Sequence, residues 1–447
     1  MGRHAVYIVA LSSDVASGNA RRRIGSPTVV LLPWGDVFHD FLDRLGISFE
    51  EFRDEFTGSW MFGYAAALAT AGVHTVIVCP TSKVREPVAA VHAATGADLR
   101  LLPTSRAYAS LRSHRLEGRL DGRRDVRSVA RAAATHLAPY LATPPLALAR
   151  LLRREGCDAL LCQEYEDPRF DVCVAVGRAT GVPVFGTFQG ADYQLSRLER
   201  PLRPLSIRAS AGLVVGACAE LDRLRRAYGV PARKLAHIFN PIDLEMWRPE
   251  GGAAVRSQLG IPAAASVVAW HGQVQTWRKG LDVLLDAWRV INNDRSRRDW
   301  RLLLVGSGED AGDLRRRVAA LSLPGVHVID EWVQDRTRMR SLLSAADVYA
   351  FPSRHEGLPV SPLEAMACGV PVVAADASGV VDVVGDAGVV VPQDDVDALA
   401  GAILALLDDD DRRGELGRRA RLRAEEHFSL ESVGAELRAF LVDRRGS

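Results

Sequence analysis

The chain has 447 residues, of which 56 are lysine or arginine and 55 are aspartate or glutamate, so its formal net charge is +1. This balance gives no indication of a general nucleic-acid partner, and no apolar run approaches the roughly 20 residues that a membrane-spanning helix needs. At about 100 to 200 residues per domain, the length predicts two domains rather than one.

The first 25 residues end close to three arginines, Arg21–Arg23, and are interpreted as a loose leader. Their apolar stretch is short for a signal peptide and lacks a clean small-residue cleavage site, so secretion is the less favoured alternative. No two cysteines form a CxxC pair and most lie in apolar runs, which favours reduced, buried thiols and a cytoplasmic protein. The six cysteines are Cys79, Cys157, Cys162, Cys173, Cys218 and Cys368.

From Thr28 onward, short apolar and β-branched runs alternate with longer helical patterns. The first series of runs is TVVLLPW, HTVIVCP, DLRLLP, CDALLC, VPVFGTF and AGLVVGA. Apolar runs without strict alternation suit strands that are covered on both faces, and the helices between them supply the crossovers that parallel strands require. The pattern predicts a doubly wound, parallel-sheet α/β domain over residues 26–243.

The alternation then begins again, with the runs SVVAWHG, RLLLVGSG, VHVID, VYAFPS, PVVAAD and GVVVP. This series predicts a second doubly wound α/β domain over residues 257–425. Between the two series, proline, glycine and acidic residues interrupt the pattern and predict a linker over 244–256. The last helical stretch, 426–447, follows candidate N-caps at Ser429 and Ser432, and packing on the first domain is an alternative to membership of the second.

Two glutamates follow the predicted strand VYAFPS, Glu356 in the loop and Glu364 in the helix behind it. Ser361 is the predicted N-cap of that helix, with Pro362 as its first residue. In open parallel sheets, ligands bind beyond the C-terminal ends of the strands, so two such sheets facing each other predict a cleft between the domains. Both glutamates are expected at the edge of that cleft.

This pair of carboxylates suggests a sugar nucleotide as ligand. A helix start exposes unpaired amides, so the backbone around Gly357 and Leu358 suits an anion such as a diphosphate. Carboxylates beside an anion make sense if they accept hydrogen bonds from neutral hydroxyl groups. Two alternatives stay open: Ser361 and Glu364 match a capping box, and Glu356 is otherwise a solvated loop acid.

The stretch VVAWHGQVQTWRKGLDVLLDAW places Arg278 and Lys279 directly before a helix. Basic residues oppose the helix dipole at that end, which favours a bound phosphate over a basic helix start exposed to water. The later stretch LLLVGSGED lacks the third glycine of a dinucleotide-binding motif, so it is interpreted as a tight turn between a strand and a helix.

In the first domain, Gly58 and Ser59 form a turn into a helix, and Gln189 and Asp192 lie in a polar loop after a strand. Each pair is a candidate contact for an anion or a sugar, and a capped helix or an ordinary turn explains them equally well. The arginine-rich span 105–136 carries interleaved acidic residues and lacks aromatic partners. It is interpreted as a solvated helical face, with an acidic acceptor or a membrane as the alternative.

Taken together, these residues resemble the retaining glycosyltransferases of family 4, also called glycosyl transferases group 1, which have the GT-B fold of two Rossmann-like domains facing a cleft. The stretch PSRHEGLPVSPLEAMACGVPVVAAD is similar to the family signature PS-x-x-EG-x-x-x-x-x-x-EAMA-x-G-x-PVV, including the spacing of its two glutamates. WRKGLDVLL, LLLVGSG, NPIDLEMWRP and EEHFSLESV are supporting matches. The resemblance covers the second domain almost throughout and the first only loosely.

The resemblance implies a role for each matching residue. Glu364 would bind the ribose hydroxyls of the donor nucleotide, Glu356 would contact the transferred sugar, and Lys279 would hold the diphosphate. The loop Asp330–Trp332 would border the base. The implied catalytic residues are Glu356 and Lys279, and the implied donor-binding residues are Glu364, Arg278, Gly272, Gln273, Gly357, Leu358, Pro359 and Trp332.

The chain departs from the family pattern at two places. Where members commonly have glycine-arginine, it has Gly272 and Gln273, with one extra residue before Lys279, and Arg278 is the candidate substitute. Where many members have a histidine in a loop of the first domain, it has Gln189. Since glutamine cannot transfer protons as histidine can, Gln189 is expected only to position substrate.

The resemblance therefore implies a retaining, metal-independent transferase that uses a nucleotide-diphosphate sugar and no cofactor. His271 and His355 lack a carboxylate frame, so no metal site is predicted. Two alternatives stay open: a GT-B sugar phosphorylase or sugar-phosphate synthase, and a non-catalytic homologue that only binds sugar nucleotides. Lipid, glycan, protein and small-molecule acceptors all fit, as does peripheral membrane contact, and no nucleic-acid partner is expected. The donor sugar, its base and the oligomeric state stay open.

Overall fold

The structure, a computed structural model, describes residues 25–33, 35–43, 46–56, 60–117, 137–190, 199–292 and 299–443. The chain forms two compact units. The first contains the described residues up to Val215, the segment Leu221–Ile238 and the chain end from Gly434. The second contains Gly216–Glu220 and Phe239–Val433.

The first unit is built on an eight-stranded sheet with the order β3-β4-β2-β1-β5-β6-β7-β8. Its neighbouring strands are parallel except for β3 and β4, which pair antiparallel. Every residue of β1, β5, β6 and β7 is buried, as expected of apolar strands in the centre of a parallel sheet. The strands are β1 (Thr28–Leu32), β2 (His74–Thr81), β3 (Val88–Val91), β4 (Asp98–Pro103), β5 (Ala159–Cys162), β6 (Val184–Phe188), β7 (Gly212–Val215) and β8 (Leu235–His237).

One helix in this part of the chain shows how capping residues set its two ends. The Asp167 side chain caps the helix Pro168–Thr180 by accepting from the Arg169 amide, and Gly181 ends that helix in the left-handed conformation. A π-helical turn covers Phe38–Leu42 and a 3₁₀ turn covers Ala232–Lys234. The described α-helices are α1 (Phe49–Asp54), α2 (Trp60–Thr70), α3 (Arg106–Glu117), α4 (Pro145–Arg154), α5 (Pro168–Thr180), α6 (Glu199–Ala209) and α7 (Cys218–Tyr228).

The second unit has a six-stranded, fully parallel sheet with the order β11-β10-β9-β12-β13-β14. The strands are β9 (Ser266–His271), β10 (Trp300–Val305), β11 (Val326–Ile329), β12 (Val348–Phe351), β13 (Val372–Ala375) and β14 (Val389–Val391). The helices are α8 (Ala253–Gln258), α9 (Leu281–Asn292), α10 (Ala311–Ala320), α11 (Arg336–Ser344), α12 (Ser361–Ala367), α13 (Val380–Val384), α14 (Val396–Leu407) and α15 (Asp410–Phe428). Two apolar cores flank this sheet, one on each face.

The last helix, α16 (Leu430–Leu441), begins in the second unit and ends in the first. Ser429 acts as its N-cap, since its hydroxyl accepts from the Ser432 amide at 3.1 Å. Further along, Arg438 donates to the Ala71 carbonyl at 2.6 Å, and the Phe440 ring lies 5.3 Å from that of Phe185. The chain end therefore contributes side chains to the first unit.

The predicted fold class is confirmed in that both units are α/β with parallel sheets. The antiparallel edge strand β3 was not expected, because its residues are only partly buried and give no continuous apolar run. The segment predicted as a linker, 244–256, lies within the second unit. The reason is burial: Ile242 and Trp247 pack into a core of that unit, so the chain joins it from Phe239 onward. None of the described helices combines the length and apolar character needed to span a membrane.

Candidate functional site

Two loops that follow neighbouring strands of the second unit carry the candidate site. Since β9 and β12 pair in parallel, the loops after them leave the same edge of the sheet. The Arg354 amide donates to the Arg278 carbonyl at 2.9 Å and joins the loops. They cross at Gly280, whose φ is +63° and where a Cβ atom would lie 1.9 Å from the carbonyl oxygen of Pro352. Glycine is thus required for this close approach.

The structure brings together the two residues predicted to act in catalysis. Lys279 Nζ donates to Glu356 Oε1 at 2.6 Å. The side chain of Glu356 is only 8% exposed and that of Lys279 is 18% exposed. The alternative that Glu356 is a solvated loop acid is therefore wrong, because its carboxylate is buried against a lysine. The catalytic roles of the pair stay predictions.

Glu364 lies in the first turn of α12, but it does not cap that helix. The N-cap is Val360, which already has helical backbone angles, and no side-chain hydrogen bond caps this described helix start. The prediction of Ser361 as N-cap is therefore wrong, and so is the alternative of a capping box; the Ser361 hydroxyl bonds to Tyr349 instead. Glu364 Oε2 lies 2.7 Å from His271 Nε2, so a hydrogen bond joins the helix that carries Glu364 to the end of β9.

A further basic side chain acts on the same carboxylate. Burial lowers the pKa of Arg336, at the start of α11, and the negative charges of Glu364 and Asp243 oppose that shift. Sequence reasoning missed Arg336, since nothing in the pattern of α11 distinguishes it from Arg338 or Arg340 in the same helix.

Arg278 lies on the rim of these loops, where its Nε is 3.5 Å from the His355 carbonyl. Beside it, Arg354 makes two hydrogen bonds of 2.8 Å to the carboxylate of Asp282, in the first turn of α9. The Arg354 guanidinium also lies 5.5 Å from the ring centre of Trp277, which is 68% exposed. Arg354 therefore ties the loop after β12 to the helix that follows β9.

Gly272 and Gln273 begin the loop after β9. The Gly272 amide donates to the Val305 carbonyl at 3.0 Å, and a Cβ atom at Gly306 would lie 1.9 Å from the Gly272 oxygen. Contact with the end of β10 therefore fixes this backbone. Gln273, at the position where family members commonly have arginine, exposes its side chain.

Gly357, Leu358 and Pro359 are all buried in the loop before α12. Asn240 donates from its side chain to the Leu358 carbonyl at 3.2 Å. A Cβ atom at Gly379 would lie 1.9 Å from the Gly357 oxygen. The loop between the two glutamates is thus packed against the rest of the second unit.

Trp332 is half-buried in the loop after β11. In the same loop, Asp330 accepts from the Ser307 hydroxyl at 2.8 Å and pairs with Arg315 at 2.9 Å. These contacts hold the loop after β11 against the turn after β10. The roles of Trp332, Arg278, Gly272, Gln273 and the loop 357–359 in donor binding stay predictions.

Of the residues predicted on the sugar or acceptor side, Gly58, Ser59 and Asp192 lie outside the described residues. Gln189 follows β6 in the first unit, and its amide donates to Glu164 Oε1. Glu164 is buried and has a φ of +61°, an uncommon conformation for a residue other than glycine. Sequence reasoning missed this glutamate, whose backbone conformation has no signal in the residue pattern.

Two family models match the chain. One, described as Glycosyltransferase Family 4, matches residues 59–246, and the other, described as Glycosyl transferases group 1, matches residues 265–409. The chain belongs to glycosyltransferase family 4. The second match includes both glutamates and Lys279 of the candidate site.

Curated relatives of this family 4 chain match about half of its length. The "GDP-mannose-dependent monoacylated alpha-(1-6)-phosphatidylinositol monomannoside mannosyltransferase" of Corynebacterium glutamicum is 34% identical over 228 residues, 48% of this chain and 58% of the relative. The "Alpha-maltose-1-phosphate synthase" of Mycobacterium tuberculosis is 34% identical over 266 residues, 55% of this chain and 66% of that protein. The chain thus spans less than two thirds of the length of these relatives.

Solved structures match over nearly the whole chain. Sucrose-phosphate synthase from Thermosynechococcus elongatus has a TM-score of 0.62 at 22% identity and covers 92% of this chain and 97% of its own. HepE of Anabaena in complex with UDP has a TM-score of 0.66 at 15% identity and covers 93% of this chain and 99% of its own. At these identities the likeness concerns the fold, and it confirms the GT-B prediction.

Proposed function

We propose that this chain transfers a sugar from a nucleoside diphosphate to a hydroxyl group of an acceptor. The observation that carries the proposal is the pair of carboxylates on one loop and the following helix, each hydrogen-bonded to a basic side chain: Glu356 to Lys279 and Glu364 to His271. Lys279 supplies positive charge for a diphosphate, and carboxylates accept strongly from sugar hydroxyls. The name of the mannosyltransferase relative supports the same class of reaction.

The proposed transfer retains the configuration of the anomeric carbon and needs no metal ion. The bond from that carbon to the diphosphate breaks, the acceptor oxygen bonds on the same face, and the acceptor proton passes to the departing diphosphate. Lys279 stabilises the charge on the leaving group, an interaction worth ~10²- to 10³-fold in rate for one well-placed donor. Glu356 and Glu364 orient the sugar and the ribose.

A panel of UDP-, GDP-, ADP- and TDP-sugars, assayed with EDTA and no added metal, tests this function. We expect one nucleotide class to raise the melting temperature of the wild type and to release or transfer its sugar. Glu364→Ala should abolish that stabilisation. The anomeric coupling constant of the product, read by proton NMR, reports retention or inversion. A protein that neither binds nor turns over any of these donors contradicts the proposal.

A sugar phosphorylase or sugar-phosphate synthase is the second candidate. The maltose-1-phosphate synthase relative favours it, because the name of that protein describes a sugar phosphate as product. Turnover that requires inorganic phosphate or a sugar phosphate as acceptor would identify this activity. A third candidate, a homologue that binds donors without transfer, draws support from the exposed Gln273 at the usual arginine position. It predicts a thermal shift with no sugar release.

We also propose a cytoplasmic location, supported by six cysteines of which five are buried and no two form a CxxC pair.

We further propose peripheral contact with an anionic membrane. In the first unit, α4 packs on α5 and α5 on α6. The exposed face of these three described helices carries arginines and leucines and no exposed acidic side chain. Those residues are Arg150, Arg153, Arg154, Arg178, Arg200, Arg208, Leu146, Leu202 and Leu205. Arginine attracts anionic lipid, and exposed leucines gain by entering the interface.

Co-sedimentation with vesicles tests the membrane contact. We expect binding to phosphatidylglycerol vesicles, weakened by salt, and little binding to phosphatidylcholine. The double variant Leu202→Ser/Leu205→Ser should bind more weakly. Leu422→Ser, which changes an exposed leucine of α15 in the second unit, is the matched control and should bind like the wild type. Equal binding by both variants would contradict this use of the α4–α6 face.

A further inference from the structure

His271 is a residue of the candidate site to which the family signature gives no role. It is the last residue of β9, and its side chain is 10% exposed. Its Nε2 atom lies 2.7 Å from Glu364 Oε2, so two residues 93 positions apart in the chain are joined directly. The contact links the strand end that starts the Lys279 loop to the helix that carries Glu364.

The position of the imidazole is fixed by the neighbouring strand. The hydroxyl of Tyr349, in β12, accepts from the His271 amide at 3.4 Å and donates to the His271 carbonyl at 3.2 Å. The two rings lie 5.4 Å apart. Because Tyr349 engages both backbone groups of His271, it holds the end of β9 beside β12 and fixes the point from which the imidazole extends.

The hydrogen bonding of the ring indicates that Nε2 carries a proton. Among the described residues, the buried Nδ1 atom has no hydrogen-bond partner, so Glu364 is the ring's polar contact. A carboxylate oxygen at 2.7 Å requires a proton on Nε2, since two lone pairs would repel each other there. A buried nitrogen without a partner is unfavourable, and an apolar ring of similar size would avoid it. The bond to Glu364 is therefore the feature that distinguishes histidine from phenylalanine at this position.

We propose that His271 is a positioning residue that holds the Glu364 carboxylate in the orientation that accepts the ribose hydroxyls of the donor. The inference rests on the proposed function, in which Glu364 binds that ribose. Without the Nε2–H donor, the carboxylate loses its hydrogen bond to β9 and keeps the charge attraction of Arg336, so its orientation must be fixed when the nucleotide binds. Ribose recognition then weakens while contacts to the diphosphate persist.

The experiment compares nucleotides with and without the ribose hydroxyls. Dissociation constants of UDP, GDP and ADP and of their 2′,3′-dideoxy analogues are measured by calorimetry on the full chain. We expect the wild type to bind its preferred ribonucleotide at least about tenfold more tightly than the dideoxy form. In His271→Phe that ratio should fall to within about twofold, with the affinity for the dideoxy form unchanged.

Three further variants complete the test. His271→Leu carries the same expectation if phenylalanine does not fit, and His271→Gln, whose amide can donate to Glu364, should restore part of the discrimination. In a Glu364→Gln background, His271→Phe should have no additional effect, because the histidine acts through that carboxylate. His427→Gln, an exposed histidine on α15, is the matched control and should behave like the wild type.

Each outcome bears on a different statement. A His271→Phe protein that discriminates as well as the wild type overturns the inference and leaves the proposed function standing. Equal loss of affinity for both nucleotide forms also overturns it, since that result marks a structural role. A wild type that binds nucleotides without discriminating them overturns the ribose role of Glu364 together with this inference. Failure to bind any of the nucleotides contradicts the proposed function itself.

Discussion

At the scale of single residues, the pair Lys279–Glu356 leads to a prediction that separates catalysis from stability. Both side chains are largely buried, so removing one leaves the other charge without its partner, which costs ~1–3 kcal/mol. We expect Lys279→Met and Glu356→Gln each to lower the free energy of unfolding by that amount, measured by urea denaturation. Each should also lower turnover ~10²- to 10³-fold.

The double variant Lys279→Met/Glu356→Gln distinguishes the two effects. It leaves no unmatched charge, so its free energy of unfolding should return to within about 1 kcal/mol of the wild type while its turnover stays low. Glu415→Gln breaks an exposed ion pair with Arg418 and serves as the matched control, with an expected change below about 1 kcal/mol. Transfer near the wild-type rate by either single variant would contradict the assigned roles.

The sequence predicts the acidic and basic residues of this site better than it predicts their partners. Glu356, Glu364 and Lys279 belong to a motif whose spacing can be read along the chain. His271 and Arg336 act on Glu364 only because β9, α11 and α12 converge in the fold. Such proximity has no local signal, so the capping-box alternative for Glu364 could be rejected only from the structure.

At the scale of elements, the bond between Arg354 and Asp282 ties a loop to the first turn of α9 and makes a pH prediction. Burial alone would raise the pKa of Asp282, but the hydrogen bonds and charge of Arg354 outweigh it and hold the pKa below its ordinary value. A lowered pKa in the folded state contributes stability above the unfolded value of about 3.9, and this contribution is lost as the pH falls through the folded value.

We therefore expect Asp282→Asn to lower the free energy of unfolding by ~1–2 kcal/mol at neutral pH, because the partly exposed pair loses its charge-assisted hydrogen bonds. The difference from the wild type should shrink as the pH falls below about 4 and vanish once Asp282 is protonated in the folded state. Urea denaturation of both proteins across this pH range measures it. A difference that stays constant down to the acid limit would show that the charge of Asp282 contributes nothing.

The crossing of the two site loops at Gly280 gives a second prediction at this scale. Alanine there combines a φ of +63° with a Cβ atom 1.9 Å from the Pro352 oxygen, so the loops must move apart. We expect Gly280→Ala to lower the free energy of unfolding by ~1–3 kcal/mol. Gly401→Ala, inside α14 where a Cβ atom meets nothing, is the control and should stabilise by up to about 1 kcal/mol. Equal effects of the two substitutions on urea denaturation would contradict the packing argument.

Strands were predicted well where their buried residues form a continuous apolar run in the sequence. The apolar runs of β1, β5, β9 and β12 predict strands that are covered on both faces. The edge strand β3 has no buried residue, since its four residues alternate between partly buried and exposed, and it was missed for that reason. The start of α12 was also misjudged, since Val360 already has helical backbone angles although valine is not a usual N-cap residue.

At the scale of the whole molecule, repetition of the alternating pattern predicts two α/β domains, but not where the chain passes between them. Proline and glycine mark 244–256 as irregular, yet irregular segments also pack. Ile242 and Trp247 are buried in a core of the second unit, so the passage lies earlier, after Ile238. Residue composition indicates the local conformation of a segment. The unit to which the segment belongs depends on which apolar core its side chains enter.

The chain end makes the last prediction, because residues from Gly434 onward belong to the first unit. Phe440 is buried, and its ring lies 5.3 Å from that of Phe185 in β6. We expect Phe440→Ala to lower the free energy of unfolding by ~3–5 kcal/mol by opening a cavity. Amide hydrogen exchange should then speed up in β6 and β7 while β9 and β12 keep their protection.

The control for this prediction is Leu422→Ala, an exposed position of α15, which should change the free energy of unfolding by less than about 0.5 kcal/mol. Hydrogen exchange resolves where the stability is lost, which a melting temperature alone does not. If Phe440→Ala accelerates exchange equally in the strands of both sheets, the two units unfold as one cooperative body. If it accelerates exchange only in β9 and β12, the side chain of Phe440 stabilises the second unit, and the chain end does not complete the first.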